Sequence, residues 1–127
     1  MSAKNKKQYG IWMDTHTAII IGRKDLQTGD FIVLANEQND SQGSNSNENA
    51  SNNAERSLQL KYFKRISAHM QNAEELHVTG TGQVQEQFVR FMADTPQFKN
   101  TVALQSTSSK MGDAKLIEYI TSKFSTQ

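Results

Sequence analysis

The sequence contains no cysteine, a single proline and few aromatic residues (8%). Without cysteine, disulfides and thiolate metal sites are excluded. No apolar run approaches the roughly 20 residues that a membrane-spanning helix needs. The net charge is +1, whereas a domain built to grip nucleic-acid phosphates is usually far more basic. We therefore expect a soluble cytoplasmic protein that needs neither a metal nor another cofactor.

With 127 residues, the chain has the length of one domain. Residues 36–57 are rich in Asn and Ser and contain almost nothing to bury, so we predict a disordered insertion there. Residues 1–8 form a basic segment with no apolar stretch behind it, which predicts a flexible tail rather than a secretory signal. The single α/β domain is then expected to occupy residues 9–127.

Hydrophobic periodicity predicts the order of the secondary-structure elements. Short β-branched runs joined by turn residues indicate three strands, and from residue 57 the apolar spacing indicates helices that alternate with strands. The predicted elements are strands at 9–13, 18–23 and 31–35, a helix from 57, a strand at 75–79, a helix after Gly82 that stops before Pro96, a strand at 101–105 and a helix from about Asp113.

This order predicts a mixed five-stranded sheet, in which an antiparallel meander is followed by an αβαβα segment with parallel strands. Helices should cover the sheet, because parallel strands are usually apolar on both faces. We expect Trp12 to be a core residue of the first strand. The helical residues expected in the core are Leu58, Tyr62, Phe63, Ile66, Met70, Val84, Phe88, Phe91, Met92, Leu116, Ile117, Ile120 and Phe124.

Several short motifs carry a family resemblance. Trp12-Met13-Asp14 with Ala18 resembles the opening motif of small bacterial translational machinery proteins, which are similar to the middle domain of class 1 archaeal and eukaryotic peptide-chain release factors. The similarity continues at residues 62–66, 76–80 and 86–88, and then at Pro96, Ile120 and Phe124. The resemblance implies an RNase H-like fold and a role near the ribosome or tRNA, although fold similarity alone is an associational argument for function.

The sequence departs from the release factors where their catalytic tripeptide lies. Those factors carry Gly-Gly-Gln in the loop before the first long helix, where this chain has the Asn/Ser-rich insertion with only Gln42-Gly43. Residues 80–83 look similar to the tripeptide but follow a later predicted strand. The small bacterial relatives often have a lysine in that later turn, at the position of Gln85. We therefore expect no peptidyl-tRNA hydrolysis and no enzymatic activity.

Two groups of residues are candidates for binding. Lys61, Lys64 and Arg65 form a basic stripe on the first predicted helix, near the position where the release-factor domain meets RNA, and with the lysines of the N-terminal tail they could neutralise a few phosphates. The alternative is a solvated helix face. Gly80, Thr81 and Gly82 precede a helix and could offer backbone N–H groups to an anion, or they could simply allow a tight turn.

Other motifs favour structural roles. Asp14 ends the first predicted strand, where RNase H-like nucleases hold a metal, but such chemistry needs further converging acids. We expect its carboxylate to accept hydrogen bonds from the turn. His16, His69 and His77 are too scattered in sequence to indicate a metal site, and no serine or threonine is flanked by a base with an orienting carboxylate.

Three functions remain open from the sequence. The first is a non-catalytic accessory protein that contacts the ribosome or tRNA. The second is a protein–protein adaptor on an RNase H-like scaffold, and the third, which has the least support, is a metal-dependent nuclease. The oligomeric state is not encoded in any motif that we recognise.

Overall fold

The computed structural model describes residues 7–25, 28–39 and 48–125. Within these ranges, no helix is long and apolar enough to cross a membrane. The described residues form five strands, three helices and a short 3-10 helix. Their bounds are β1 Gln8–Met13, β2 Thr17–Asp25, β3 Thr28–Gln38, α1 Glu48–Ala68, β4 Glu75–Gly80, α2 Gln83–Ala93, the 3-10 helix Pro96–Phe98, β5 Val102–Thr107 and α3 Asp113–Ser125.

The five strands form one mixed sheet in the order β3-β2-β1-β4-β5. The strands β1, β2 and β3 are antiparallel neighbours, whereas β4 is parallel to β1 and β5 is parallel to β4. The predicted α/β fold, in which a meander is followed by an αβαβα segment with parallel strands, is confirmed.

The sheet separates two hydrophobic clusters. The larger one lies between the sheet and helices α1 and α2, and the smaller one lies between the sheet and α3. Strand β1 contributes to both, because successive side chains of a strand point to opposite faces. Ile11 and Met13 face α1 and α2, while Trp12 faces α3 and is 1% exposed. The prediction that Trp12 is a core residue is confirmed.

Glycine at position 10 brings α3 close to the sheet. A Cβ atom built on Gly10 would lie 2.5 Å from Cδ1 of Ile120, and Ile120 is fully buried. The helix therefore rests on the backbone of β1 rather than on a side chain. Leu116 and Ile120 fill the space around Trp12, in agreement with the apolar face predicted for this helix.

The helices cover both faces of the central strands, whereas one face of β5 is only partly covered. Helix α3 packs mainly over β1 and β3. The face of β5 opposite α2 is therefore partly open to solvent. Val102 and Leu104 are exposed there. The assumption that every parallel strand is apolar and covered on both faces therefore fails at this edge strand.

Several predicted bounds were wrong. The strand predicted at 31–35 extends through Gln38, and the helix predicted from 57 begins at Glu48; residues 40–47 of the predicted disordered insertion lie outside the described residues. Pairing with β2, in which Ala18 lies opposite Glu37, extends the strand through polar sequence. Residues 28–30, which precede the strand predicted at 31–35, are also part of β3, because Asp25 pairs with Thr28.

Two residues of the predicted N-terminal tail, Lys7 and Gln8, are described by the structure. Gln8 already belongs to β1, and the backbone N–H of Lys7 donates to the Glu74 carboxylate at 2.8 Å. The carbonyl of Lys7 accepts bonds from the N–H groups of Glu74 and Glu75. Residues 1–6, including Lys4 and Lys6, lie outside the described residues.

The close contact between β4 and β1 predicts that a methyl group added at Gly80 will lower the stability of the fold. A Cβ at position 80 would overlap the carbonyl oxygen of Met13, and this backbone atom cannot move without breaking the strand pairing. We expect Gly80→Ala to lower the free energy of unfolding by about 1 to 3 kcal/mol. Gly112→Ala is the control, because its Cβ would contact nothing, and we expect less than about 0.5 kcal/mol. Equal losses of unfolding free energy for Gly80→Ala and Gly112→Ala in urea denaturation would contradict the close packing of Gly80 against β1.

Candidate functional site

The outer face of helix α1 carries a cluster of cations. Apolar residues of the helix, among them Tyr62 and Ile66, are buried against the sheet, which turns the intervening positions outward. Lys61 and Lys64 are both exposed. Residues 56–69 contain no Asp or Glu, so no acid within this segment opposes their charge. The positions predicted for RNA contact thus lie where a large anion could approach.

The third predicted contact, Arg65, is already engaged within the protein. Its Nε donates to the Glu37 carboxylate at 3.2 Å, and a terminal guanidinium nitrogen donates to the Gln38 carbonyl at 2.6 Å. His69 Nε2 lies 2.7 Å from the second oxygen of the same carboxylate. Arg65 therefore connects α1 to the end of β3, and the basic stripe divides into two exposed lysines and one bound arginine.

Arg56 is a further cation of this helix that the sequence did not single out. It lies within the segment predicted to be a disordered insertion, so periodicity gave no reason to place it on a helix. The structure extends α1 to Glu48, and Arg56 is exposed. Arg56 lines a groove between α1 and α2 with the half-exposed Leu60, with Phe91 and with Arg90.

The turn after β1 uses Asp14 as predicted. One carboxylate oxygen of Asp14 accepts hydrogen bonds from the N–H groups of His16 and Thr17, both at 2.8 Å. The hydroxyl of Tyr62 donates to the carbonyl of Asp14 at 3.0 Å, which fixes the turn to α1. Burial raises the pKa of Tyr62, with a further contribution from the Asp14 charge, so the phenol keeps the proton that this bond requires.

The nuclease hypothesis requires further acids that converge with Asp14 on a metal ion. In the part of the chain that the structure describes, no three residues among His, Asp and Glu are grouped closely enough to hold a metal ion. The carboxylate of Asp14 is also occupied by the backbone of its own turn. Its geometry is that of a turn-stabilising residue.

Part of the hydrogen-bonding capacity of the glycine-containing turn before α2 is used by a side chain of that helix. The side-chain oxygen of Gln85 accepts the N–H of Gly82 at 2.9 Å, and its amide nitrogen donates to the Ser106 carbonyl at 2.8 Å. Gln85 is 2% exposed. Anion binding by Gly80, Thr81 and Gly82 stays a prediction, but one of the N–H groups that it would use already has a partner.

A chain of polar side chains lies between β4, β5 and α3, and the sequence did not indicate it. His77 Nε2 is 2.9 Å from Ser106 Oγ, which in turn is 2.7 Å from the Tyr119 hydroxyl and 3.0 Å from Thr79 Oγ1. These residues are far apart in sequence, so only the pairing of β4 with β5 brings them together. Ser106 has three polar neighbours, which is typical of a group that holds elements together.

The protonation of this polar chain follows from its surroundings. Burial, and then the charge of Lys123, lower the pKa of His77, so the ring is neutral at neutral pH. Burial alone would raise the pKa of the Tyr119 hydroxyl. Its hydrogen bonds with Ser106 and Thr79 and the neighbouring Lys123 outweigh that effect, and the pKa is lowered.

The lowered pKa of His77 predicts a pH dependence of stability. The unfolded chain takes up a proton near the ordinary pKa of 6.5 before the folded chain does, so acid favours unfolding. We expect the free energy of unfolding to be undiminished above about pH 6.5 and to fall as the pH decreases below it. His77→Gln should reduce this slope, and the exposed His16 provides the control His16→Gln. Equal slopes in denaturant titrations of wild type and His77→Gln would contradict the assignment.

Comparisons with known proteins show the fold. No family model matches the sequence, and no curated protein is similar to it. Among solved structures, the chain is similar to Archaeoglobus fulgidus Pelota, with a TM-score of 0.60 and 16% identity over 96% of this chain and 33% of that one. It is also similar to the archaeal translation termination factor aRF1, with a TM-score of 0.51 and 14% identity over 92% of this chain and 38% of that one.

The chain therefore spans about a third of the length of these two proteins. At such identities the similarity establishes a common fold and leaves the activity open. The expected resemblance to a release-factor domain is confirmed at the level of structure: this chain has the fold of one part of Pelota and of aRF1.

Proposed function

We propose that this protein is a non-catalytic, cytoplasmic accessory factor of the translation machinery that contacts ribosomal RNA or tRNA through the outer face of α1. The observation that carries the proposal is the exposure of Lys61 and Lys64, with Arg56 on the same helix, in a segment without acidic residues. The fold shared with a translation termination factor supports RNA of the translation machinery as the partner.

The contact is weak and electrostatic. Each phosphate that a lysine neutralises releases condensed counterions, so affinity falls steeply as salt rises. Three exposed cations and a net charge of +1 provide few such contacts. The protein accordingly contacts the sugar–phosphate backbone of structured RNA and discriminates little between RNA sequences.

A non-catalytic role is supported by the chemistry of the chain. The sequence has no Gly-Gly-Gln tripeptide, which is the group that the release factors bring to the peptidyl-transferase centre. Residues 80–83 resemble it but lie at the turn from β4 into α2, where Gln85 holds the backbone. The protein therefore acts by binding.

Removing the two lysines tests the binding face. We expect the wild type to co-sediment with ribosomes at low salt and to be released at moderate salt, and Lys61→Gln/Lys64→Gln to weaken binding about tenfold at low salt. The double variant should also lower the slope of log affinity against log salt by about 1 for each lost phosphate contact. Lys99→Gln/Lys115→Gln removes the same charge from exposed sites elsewhere and should bind normally. Absence of the wild type from ribosomal fractions at both salts would refute the proposal.

Replacing Glu37 should raise RNA affinity, whereas replacing the two lysines should lower it. The Glu37 carboxylate pairs with Arg65 and His69 and places a negative charge beside the proposed RNA-binding face of α1. Glu37→Gln keeps the shape of the side chain, removes that charge and leaves the Arg65 guanidinium more available for phosphate. We expect RNA affinity to rise about twofold or more at low salt. Weaker binding of a variant with unchanged circular dichroism would show that phosphate does not approach this side of α1.

The groove between α1 and α2 favours an adaptor as the second candidate function. It is lined by the apolar residues Leu60, which is 45% exposed, and Phe91, and by two arginines, Arg56 and Arg90, against one acid, Asp94. An acidic amphipathic helix has the matching chemistry. In affinity capture, an adaptor should retain one protein partner after nuclease treatment, and Leu60→Glu should abolish that interaction. This outcome would favour the adaptor over the RNA-binding factor.

A further inference from the structure

Strand β5 is an open edge of the sheet. Within the described residues, no strand pairs with its outer side. Val102 and Leu104 are 57% and 62% exposed, more than any other large apolar residue of the described chain. They are uncovered because α3, on the same face of the sheet, packs mainly over β1 and β3 and reaches β5 only near Ser106.

A recess of about 60 Å³ adjoins these two residues, between β5 and the end of α3. Val102, Leu104 and Phe124 contribute apolar walls, and Glu75, His77 and Lys123 contribute polar ones. Such a surface, with an open edge beside a recess for a side chain, has the features of a site that binds an added strand.

The direction of the backbone groups shows which residues would pair. The N–H of Val102 donates to the Glu74 carbonyl, toward β4. Because the N–H and C=O groups of successive strand residues point to alternate sides, those of Ala103 and Gln105 point away from β4. These two residues can therefore hydrogen-bond to a strand that approaches the open edge.

This edge lacks the features that usually prevent strand addition. Proteins commonly protect edge strands with charges, prolines or bulges. Residues 100–109 contain no charged residue and no proline, and the pairing of β5 with β4 has no irregularity. The opposite edge strand, β3, carries Asp30 and Glu37, and its pairing with β2 has two register shifts.

We propose that β5 pairs antiparallel with β5 of a second copy of this chain, about a twofold axis at Ala103. In this register the edge-facing groups of the two Ala103 residues bond to each other. Val102 of each copy then lies opposite Leu104 of the other, at a non-hydrogen-bonded position where side chains are closest. The sequence of β5 thus complements itself, as a symmetric dimer interface requires.

Charge favours a second copy as the occupant. The strand itself is neutral, so two copies meet without like charges along the pairing. The nearest charged residues in sequence are Lys99 and Lys110, and in this register they lie opposite Thr107 and Pro96. A register centred on Gln105 would place Leu104 against Ser106 and lose the apolar pairs.

This dimer is independent of the proposed RNA contact. Helix α1 packs on the other face of the sheet from the exposed side chains of β5, so both surfaces can be occupied together. The dimer would continue the sheet from one copy into the next and cover Val102, Leu104 and the recess.

The first test is sedimentation velocity of the full chain from about 10 μM to about 1 mM. We expect wild type to shift from monomer to dimer over this range, and Leu104→Lys to raise the dimer dissociation constant about tenfold or more. Leu60→Lys makes the same chemical change at an exposed leucine of α1, and we expect it to dimerise like wild type. A wild type that stays monomeric throughout, or equal losses in both variants, would overturn the proposal.

Paired charges test the register. Val102→Lys/Leu104→Glu places opposite charges across the twofold axis at both contacts, whereas Val102→Lys/Leu104→Lys places like charges there. We expect the first variant to dimerise at least about tenfold more tightly than the second. Equal dissociation constants would overturn the Ala103-centred pairing.

Hydrogen exchange distinguishes a second copy from other occupants. We expect the amides of Ala103 and Gln105 to exchange rapidly in the dilute monomer and slowly in the dimer. If they are protected in a monomer, another segment of the same chain covers the edge and the proposal fails. The proposal also fails if a different protein protects them while the isolated chain stays monomeric.

Discussion

The central strand β1 is buried on both faces and paired on both edges, and the positions of the other elements follow from this. Its antiparallel pairing with β2 builds the meander, and its parallel pairing with β4 receives the chain after α1. Its side chains alternate between the two clusters, with Ile11 on one side and Trp12 on the other. At Gly10 the absence of a side chain admits Ile120, so α3 packs directly on the strand.

The position of α3 has consequences at both ends of the sheet. Over β3 it covers Phe31, whose ring stacks on Phe124 at 5.6 Å between centroids. The same helix reaches β5 through the hydrogen bond between Tyr119 and Ser106 but leaves Val102 and Leu104 exposed. A small domain with three helices on a five-stranded sheet thus leaves one edge available, while α1 and its exposed lysines occupy the opposite face.

The fold was predictable because its signals are local. Alternation of apolar residues located the strands, and spacing such as Tyr62, Ile66 and Met70 located the first helix; all three residues are buried. The ends of β3 and α1 were missed because strand pairing and helix propagation continue through polar residues that have no apolar period. Arg56 was missed for the same reason.

The candidate site was less predictable because it depends on tertiary contacts. Lys61, Lys64 and Arg65 look equivalent in sequence, yet Arg65 bonds to Glu37 and Gln38 on β3. Nothing in the spacing of these residues indicates that α1 lies beside that strand end. The chain from His77 through Ser106 to Tyr119 and the open face of β5 also arise only when distant segments meet.

The central claim is that the outer face of α1 binds RNA, and an NMR titration of the labelled protein with tRNA measures it most directly. The account predicts chemical-shift changes concentrated at residues 56–65, with small changes in α3 and β5. They should weaken progressively as salt is added. Changes centred on the turn at residues 80–82 or on α3, or no changes at low salt, would contradict the claim.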